Sequence, residues 1–558
     1  MAGGLVLFAA ALHVATREVL VLAAVGIAAS TIDDGVIDLI YLSIWLRRRA
    51  LRMRSVPAAN LPPGSSWMAI MVPAWDEAAV IAPMLRSLTT RLDYPKYRVF
   101  VGVYPNDPAT LAAVRSVVDY RISPVICTRP GSTTKADCLN HIWRAVIAHE
   151  AEASIRFKAI VFHDAEDVVD RHELRVFDNL IPGLAMVQLP VIPLVDPGSR
   201  WISGHYLDEF AESHGKDIIV RGAIGAAVPS AGVACAIDRD VLAMIAGVTG
   251  TPFDPACMTE DYELGMKVAA LGHRGALVRI PGFAGGRTVA THEHFPATFE
   301  TAVKQKTRWL LGIALSGWDR IGWQGGLADR YMLLRDRKSI VTPLLTIFGY
   351  VAVAIVLVDA EVSMVVPAAL RFDPLVAAQS PLAALLWLNT IALGWRLGLR
   401  ASFTAATHGW REGLRAVPEQ SSAMRSMRLP RRARCGATHA SALGTKVRRG
   451  TRRHISSPCP PSDANHDGAP DASLARMRVA AAVVGDVPRP GDAVRLRRGG
   501  RGGGRRRKHG DRVDMDASAM DRGGKADRGS TSARIDASAS SSLSKIRRER
   551  EDAACSRQ

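Results

Sequence analysis

Two apolar stretches late in the chain constrain its fold more than any other feature. Residues 340–358 and 381–399 are each close to the roughly 20 residues needed to cross the hydrocarbon core of a bilayer. Arg335, Arg337 and Lys338 precede the first, and Arg396 and Arg400 close the second. Basic residues at both outer ends place those ends on one side of a membrane. Residues 336–417 are therefore expected to form a transmembrane hairpin rather than a pair of buried core helices. A lipid bilayer is the first expected partner.

The start of the chain is apolar as well, over residues 5–15, 19–32 and 35–46. It has no basic start and no convincing cleavage site, so residues 1–46 read as membrane segments rather than a removable leader. Asp33, Asp34 and Asp38 would then lie at membrane depth. Acids there must face protein or water, which leaves two expectations: functional groups, or an interfacial bend. Arg47, Arg48, Arg49, Arg52 and Arg54 follow, and such a cluster assigns the next segment to the cytoplasm.

That segment, residues 47–335, alternates short apolar runs with helical patterns. Residues 69–73, 99–103, 159–163 and 186–189 read as strands; residues 78–89, 109–118 and 135–148 read as helices. The alternation predicts an α/β domain around a mainly parallel sheet.

The net charge of +18 suggests a nucleic-acid partner until it is localised. From Pro418 onward there are 31 Lys+Arg and 15 Asp+Glu, which leaves about +2 for everything before. The folded part therefore has no basic groove, and no specific nucleic acid is expected. None of the 33 aromatic residues lies beyond Val417, where proportional scatter would put roughly eight. Residues 418–558 are expected to be a disordered low-complexity basic tail, or text from a shifted reading frame. The alternative for that tail is an arm for nucleic acid or anionic lipid. The seven cysteines form no metal-ligand pair and no disulfide framework, which fits reduced thiols.

The candidate chemistry lies at strand ends. In open α/β sheets ligands bind beyond the C-terminal edge. Met71-Val72-Pro73-Ala74-Trp75-Asp76-Glu77 delivers two acids to such an edge, where they can also cap the next helix. Val103-Tyr104-Pro105-Asn106-Asp107 ends a second strand; Asn106 and Asp107 can accept hydrogen bonds from a uracil or ribose, or simply form a turn. Lys135 opens a helix in Thr134-Lys135-Ala136-Asp137, where an ammonium and the helix dipole can meet a diphosphate. A solvated surface lysine is the plain alternative.

The sharpest signal is Ile160-Val161-Phe162-His163-Asp164-Ala165-Glu166-Asp167. An apolar strand runs into three acids, and burying them is costly without a cation. Asp164 and Glu166 can ligate one hard ion, Mg2+ or Mn2+, beside donor phosphates. Glu260 and Asp261, in Thr259-Glu260-Asp261, begin a helix; a carboxylate there can take a proton from an acceptor hydroxyl, with Thr259 as a helix cap. Gln305, Arg308 and Trp309 share one helical face. Arg308 can pair with diphosphate and Trp309 can stack on a sugar, unless the helix merely lies on a membrane.

The order of these pieces across residues 73–309 resembles the processive-type family 2 glycosyltransferases of GT-A fold, as in cellulose, chitin and hyaluronan synthases. Within that group the chain is similar to the bacteriophage adsorption protein B branch, through Tyr104-Pro105-Asn106-Asp107-Pro108, His163-Asp164-Ala165-Glu166-Asp167 and the Asp33, Asp34, Asp38 segment. The resemblance implies a GT-A domain with flanking transmembrane helices in a bacterial inner membrane, catalytic domain cytoplasmic. It implies Asp261 as catalytic base and a metal at Asp164 and Glu166, the latter standing where the family has a second aspartate. It implies donor contacts at Asp76, Glu77, Asn106, Asp107, Lys135 and Asp164, and acceptor or diphosphate contacts at Glu260, Gln305, Arg308 and Trp309. The branch typically continues into a cyclic di-GMP-binding module, and the composition after Pro418 does not resemble one.

The expected function is inverting transfer of a hexose or N-acetylhexosamine from a UDP-sugar to a glycan or lipid-linked acceptor in exopolysaccharide synthesis. An export partner is left open. The rivals are a nucleotidyltransferase, a non-catalytic membrane scaffold or phage receptor component, and a nucleic-acid binder acting through its tail.

Overall fold

The computed structural model describes residues 2–52, 55–365 and 372–425. One unbroken helix, α1 (Ala2–Ala50), opens the chain. It is followed by β1 (Trp67–Pro73), α2 (Ile81–Arg91), β2 (Tyr97–Val103), α3 (Pro108–Arg115), β3 (Ile122–Ile126), α4 (Lys135–Ala153) and β4 (Phe157–Phe162). Then come α5 (Glu173–Leu180), β5 (Met186–Gln188), β6 (Val191–Pro193) and α6 (Arg200–Glu212). A π-helical turn, Ser213–Asp217, joins α6 to α7 (Ile218–Ala223). After β7 (Cys235–Asp238), α8 (Arg239–Thr249), α9 (Glu260–Ala270), β8 (Gly275–Leu277) and β9 (Thr291–Glu293) comes α10 (Phe299–Trp309). A second π-helical turn, Leu310–Ser316, and α11 (Gly317–Ile321) lead to three final helices: α12 (Leu327–Val365), α13 (Pro381–His408) and α14 (Trp410–Arg425).

Seven strands form one sheet in the order β3-β2-β1-β4-β7-β5-β8, with only β7 reversed. β6 and β9 pair separately, in parallel. Strand alternation explains the two cores. Met68, Ile70 and Val72 of β1 face a cluster that includes α2, α3 and α5, while Ala69 and Met71 face one that includes α4, α8 and α9. Both faces of the sheet are thus covered by helices, as a mainly parallel sheet requires.

Three helices, α1, α12 and α13, are long and apolar enough to cross a membrane. Their apolar residues stay outward, as with Leu22, Leu357 and Trp387. Of the two expectations for Asp33, Asp34 and Asp38, the backbone does not carry the bend, because α1 continues unbroken through all three. The acids face cations instead. Asp33 meets Arg335 at 2.5 Å and Lys338 at 2.7 Å; Asp34 meets Lys338 at 3.0 Å and Arg396 at 2.6 Å. Asp38 accepts from Lys216 Nζ at 2.7 Å and from Trp395 Nε1 at 2.8 Å. The basic residues read as flanks of the hairpin are therefore also the partners of the acids on α1.

Other boundaries differ for local reasons. The helix expected from residue 78 starts at Ile81, because the backbone N–H groups of Asp76 and Glu77 are drawn across to Asp107 and Thr110. The expected tail starts inside α14, which packs against α13 and places Gly413 against Ala405. Residues 426–558, the rest of that tail, lie outside the described residues.

Candidate active site

A cavity of about 280 Å³ opens at the C-terminal ends of the parallel strands. It is lined by Lys135, Asp164 and Glu166 on one side and by Glu260, Asp261, Gln305, Arg308 and Trp309 on others. Residues more than 170 positions apart in sequence thus meet, because β4 delivers its acids next to the first turns of α4 and α9.

Lys135 Nζ reaches Asp164 Oδ1 at 2.5 Å. Burial alone would lower its pKa, but Asp164, Glu260 and Asp261 together hold it above the ordinary lysine value. Partial burial, then the like charges of Glu77 and Asp164, push Glu166 up to about 7, although its side chain keeps an exposed edge. Burial and the neighbouring Asp261 push Glu260 up to about 7 as well. Burial also raises Asp261, opposed by Lys135 and Arg308. Asp261 Oδ1 accepts from the Tyr262 N–H at 2.7 Å.

Gly232 (φ +81°) lies against this carboxylate: a Cβ there would sit 2.8 Å from Asp261 Oδ2. Both the backbone conformation and the close approach demand glycine. Thr259 occupies the expected cap position of α9 but makes no capping hydrogen bond, since its side chain packs onto Gly312. Gln305 leaves its Oε1 buried and unpartnered, and the Trp309 ring packs edge-on against Tyr206 at 6.0 Å.

Asp76, Glu77, Asn106 and Asp107 do not line the cavity. Asp107 commits one oxygen to Thr110 N (3.1 Å) and the other to Asp76 N (2.7 Å). Burial alone would raise it, yet these bonds hold it below the ordinary aspartate value. Asn106 exchanges two hydrogen bonds of 2.7 Å with Gly131. In this structure both residues shape the loops beside the cavity. Asp76 adopts a left-handed conformation (φ 59°) at an exposed position, and Glu77 is raised by burial and by Asp164.

The sequence reading missed the support beneath Asp164. His163 is fully buried, with Nδ1 2.7 Å from Asp167 Oδ2 and Nε2 2.8 Å from Glu173 Oε1. Despite burial, Glu173 and Asp167 hold its pKa above the ordinary histidine value, while burial raises both acids in turn. Asp167 Oδ2 also accepts from Asp164 N at 3.1 Å. The third acid of the motif is thus partnered by the adjacent histidine. Glu293, on β9, lines the cavity and is raised by burial and by Asp167 and Asp164. Only proximity in the fold reveals Glu173 and Glu293, since neither belongs to an acidic motif.

Among the described residues no group of three or more His, Cys, Asp or Glu could hold a metal ion. Two carboxylates still fit a hard divalent ion whose other positions go to phosphate and water. Burial first, and then the like charges of Glu77 and Asp164, raise Glu166, and a divalent ion shared with Asp164 would offset those like charges.

Residues 63–312 match the family model Glycosyltransferase like family 2. The chain is 36% identical over 410 residues to Bacteriophage adsorption protein B of Escherichia coli (strain K12), covering 70% of this chain and 55% of that protein. Bacteriophage N4 adsorption protein B of Escherichia coli O157:H7 matches to the same extent. The chain therefore spans about half the length of the curated relatives it matches. Among solved structures, a mannosyltransferase from Pyrobaculum calidifontis in complex with GDP-Man and Mn2+ aligns at 18% identity with a TM-score of 0.43, over 72% of this chain and 99% of that one. The sequence match and the sheet that carries these acids agree: residues 63–312 form a mainly parallel α/β domain that matches the glycosyltransferase-like family 2.

Proposed function

We propose that this chain is a membrane-anchored inverting glycosyltransferase that moves a hexose or N-acetylhexosamine from a UDP-sugar to a glycan acceptor. The observation that carries this reading is the convergence of Lys135, Asp164, Glu166, Asp261, Gln305, Arg308 and Trp309 on one cavity. Asp261 is half-buried, and burial raises it against the opposing charges of Lys135 and Arg308; a carboxylate so raised is suited to accepting a proton from an attacking hydroxyl. Lys135 and Arg308 bind and orient the diphosphate. Trp309 offers a ring face to the acceptor sugar. Asp164 and Glu166 would hold Mg2+ or Mn2+, which supplies charge neutralisation on the departing nucleotide. His163 fixes the loop that carries both acids.

The basic cluster after α1 and the basic ends of α12 and α13 support a cytoplasmic domain at a bacterial inner membrane, with the product passed towards export. A second reading, a non-catalytic membrane component in phage adsorption, is favoured only by the names of the relatives.

The test is nucleotide release by the purified protein across a panel of UDP-sugars with Mg2+ or Mn2+, alongside Asp261→Asn. We expect release with one donor and a loss of turnover of about 10²–10⁴-fold in the variant, with donor binding largely kept. Equal turnover in both proteins removes Asp261 from its role. Silence with every donor leaves the adsorption reading.

A further inference from the structure

One wall of the cavity comes from outside every motif. Phe210 of α6 and Ser213 and His214 of the π-helical turn line it. Such turns change which side chains face a site, because they add a residue to one turn of helix. His214 is 4% exposed. Its Nδ1 accepts from the Val191 N–H at 3.0 Å, and its carbonyl accepts from Arg279 Nη1 at 3.0 Å. An imidazole that accepts at Nδ1 carries its proton on Nε2. Burial, then the Arg279 charge, push His214 down to about 3, so the ring stays neutral and keeps this tautomer. Among the described residues Nε2–H has no protein acceptor. The Phe210 ring packs edge-on to the imidazole at 5.1 Å and lies 6.2 Å from Trp309.

Phe210, Phe295 and Trp309 line the same part of the cavity. A sugar entering here would meet aromatic faces and one fixed N–H donor.

Resting on the transferase reading above, we propose that His214 is an acceptor-specificity residue. Its Nε2–H reads a hydroxyl or acetamido oxygen of the acceptor sugar.

The test is a binding titration on the full chain in detergent, followed by intrinsic fluorescence. Tetrasaccharides of glucose and N-acetylglucosamine serve as probes, with UDP as a separate ligand. His214→Asn keeps an acceptor for the Val191 N–H but removes the outer donor, whereas His214→Gln restores an amide donor further out. One of the tetrasaccharides should bind the wild type, weaken at least tenfold in His214→Asn and recover in part in His214→Gln, with UDP affinity unchanged throughout. Unchanged sugar affinity in His214→Asn overturns the proposal, as does a wild type that binds neither sugar. Retained UDP affinity shows that a variant is folded, and a folded His214→Gln that binds sugar no better than His214→Asn also overturns it. Failure of UDP to bind the wild type sinks the transferase reading instead, and leaves the sugar titration to be judged by itself.

Discussion

The chain has two concentrations of carboxylates, and they are wired in opposite ways. At the membrane junction Asp33, Asp34 and Asp38 each meet cations or donors from α12, α13 and the turn after α6. In the cavity burial, and then neighbouring acids, raise Glu166 and Glu260 to about 7. Matched acids hold elements together. Unmatched acids carry an electrostatic cost that protonation or a cationic ligand relieves, and such groups concentrate at functional sites. Acid content alone does not distinguish the two regions; partner count does.

The largest expected effect breaks the contrast at the cavity. Asp164→Asn removes the carboxylate shared by Lys135 and the expected metal, and kcat/KM should fall by about 10²-fold or more, with loss of the response to Mg2+ or Mn2+. Steady-state nucleotide release checks this, and a variant that keeps its metal response would put the metal elsewhere.

A smaller effect is expected at the junction. Asp34→Asn takes the carboxylate from Arg396 and one of two from Lys338, and should lower stability by about 1–3 kcal/mol, between the surface and buried limits for an ion pair. Thermal unfolding in detergent reads this loss, and UDP affinity should not move. A fall in UDP affinity would mean that the junction also shapes the cavity.

The smallest effect separates the two regions by pH. A carboxyl raised to about 7 in the folded state binds more protons than the same group unfolded, whose pKa lies near 4.3. Its contribution is therefore fully present below about 4.3 and is lost as pH rises through about 7. Ligand-free protein should gain a few degrees of melting temperature between pH 7 and 5. Glu260→Gln should flatten that slope, and an unchanged slope would assign it to other groups. The matched pair Glu263 and Asp254 behaves in the opposite sense. Burial would raise both, but Arg320, at 2.6–2.7 Å, holds both below their ordinary values, so their contribution is lost only under acid.

These two regions also mark what the sequence reveals. The spans in α12 and α13 and the strands β1, β2 and β4 contain continuous apolar runs, legible without knowledge of their neighbours. β3 carries Pro124 and sits at the sheet edge, where proline is tolerated, so its pattern is broken. β6, β8 and β9 are three residues each, too short for any period, and β7 is reversed within the sheet. For the site, Asp164, Glu166, Asp261, Gln305, Arg308 and Trp309 stand in motifs and meet in space. Asn106 and Asp107 also stand in a motif, but their polar atoms are taken up by backbone groups that only the folded loops supply. The partners of Asp33, Asp34 and Asp38 come from the turn after α6, 178 positions away, and from helices roughly 300 or more positions away, a relation that no local pattern encodes.

Gly232 gives the cavity an unusual genetic footprint. It has no side chain to offer substrate, yet any replacement would strain the backbone and press on the Asp261 carboxylate at once. Selection would guard this codon as tightly as that of the base itself. A map of intolerant positions would therefore include a residue with no chemistry of its own, held invariant by the atom it leaves out.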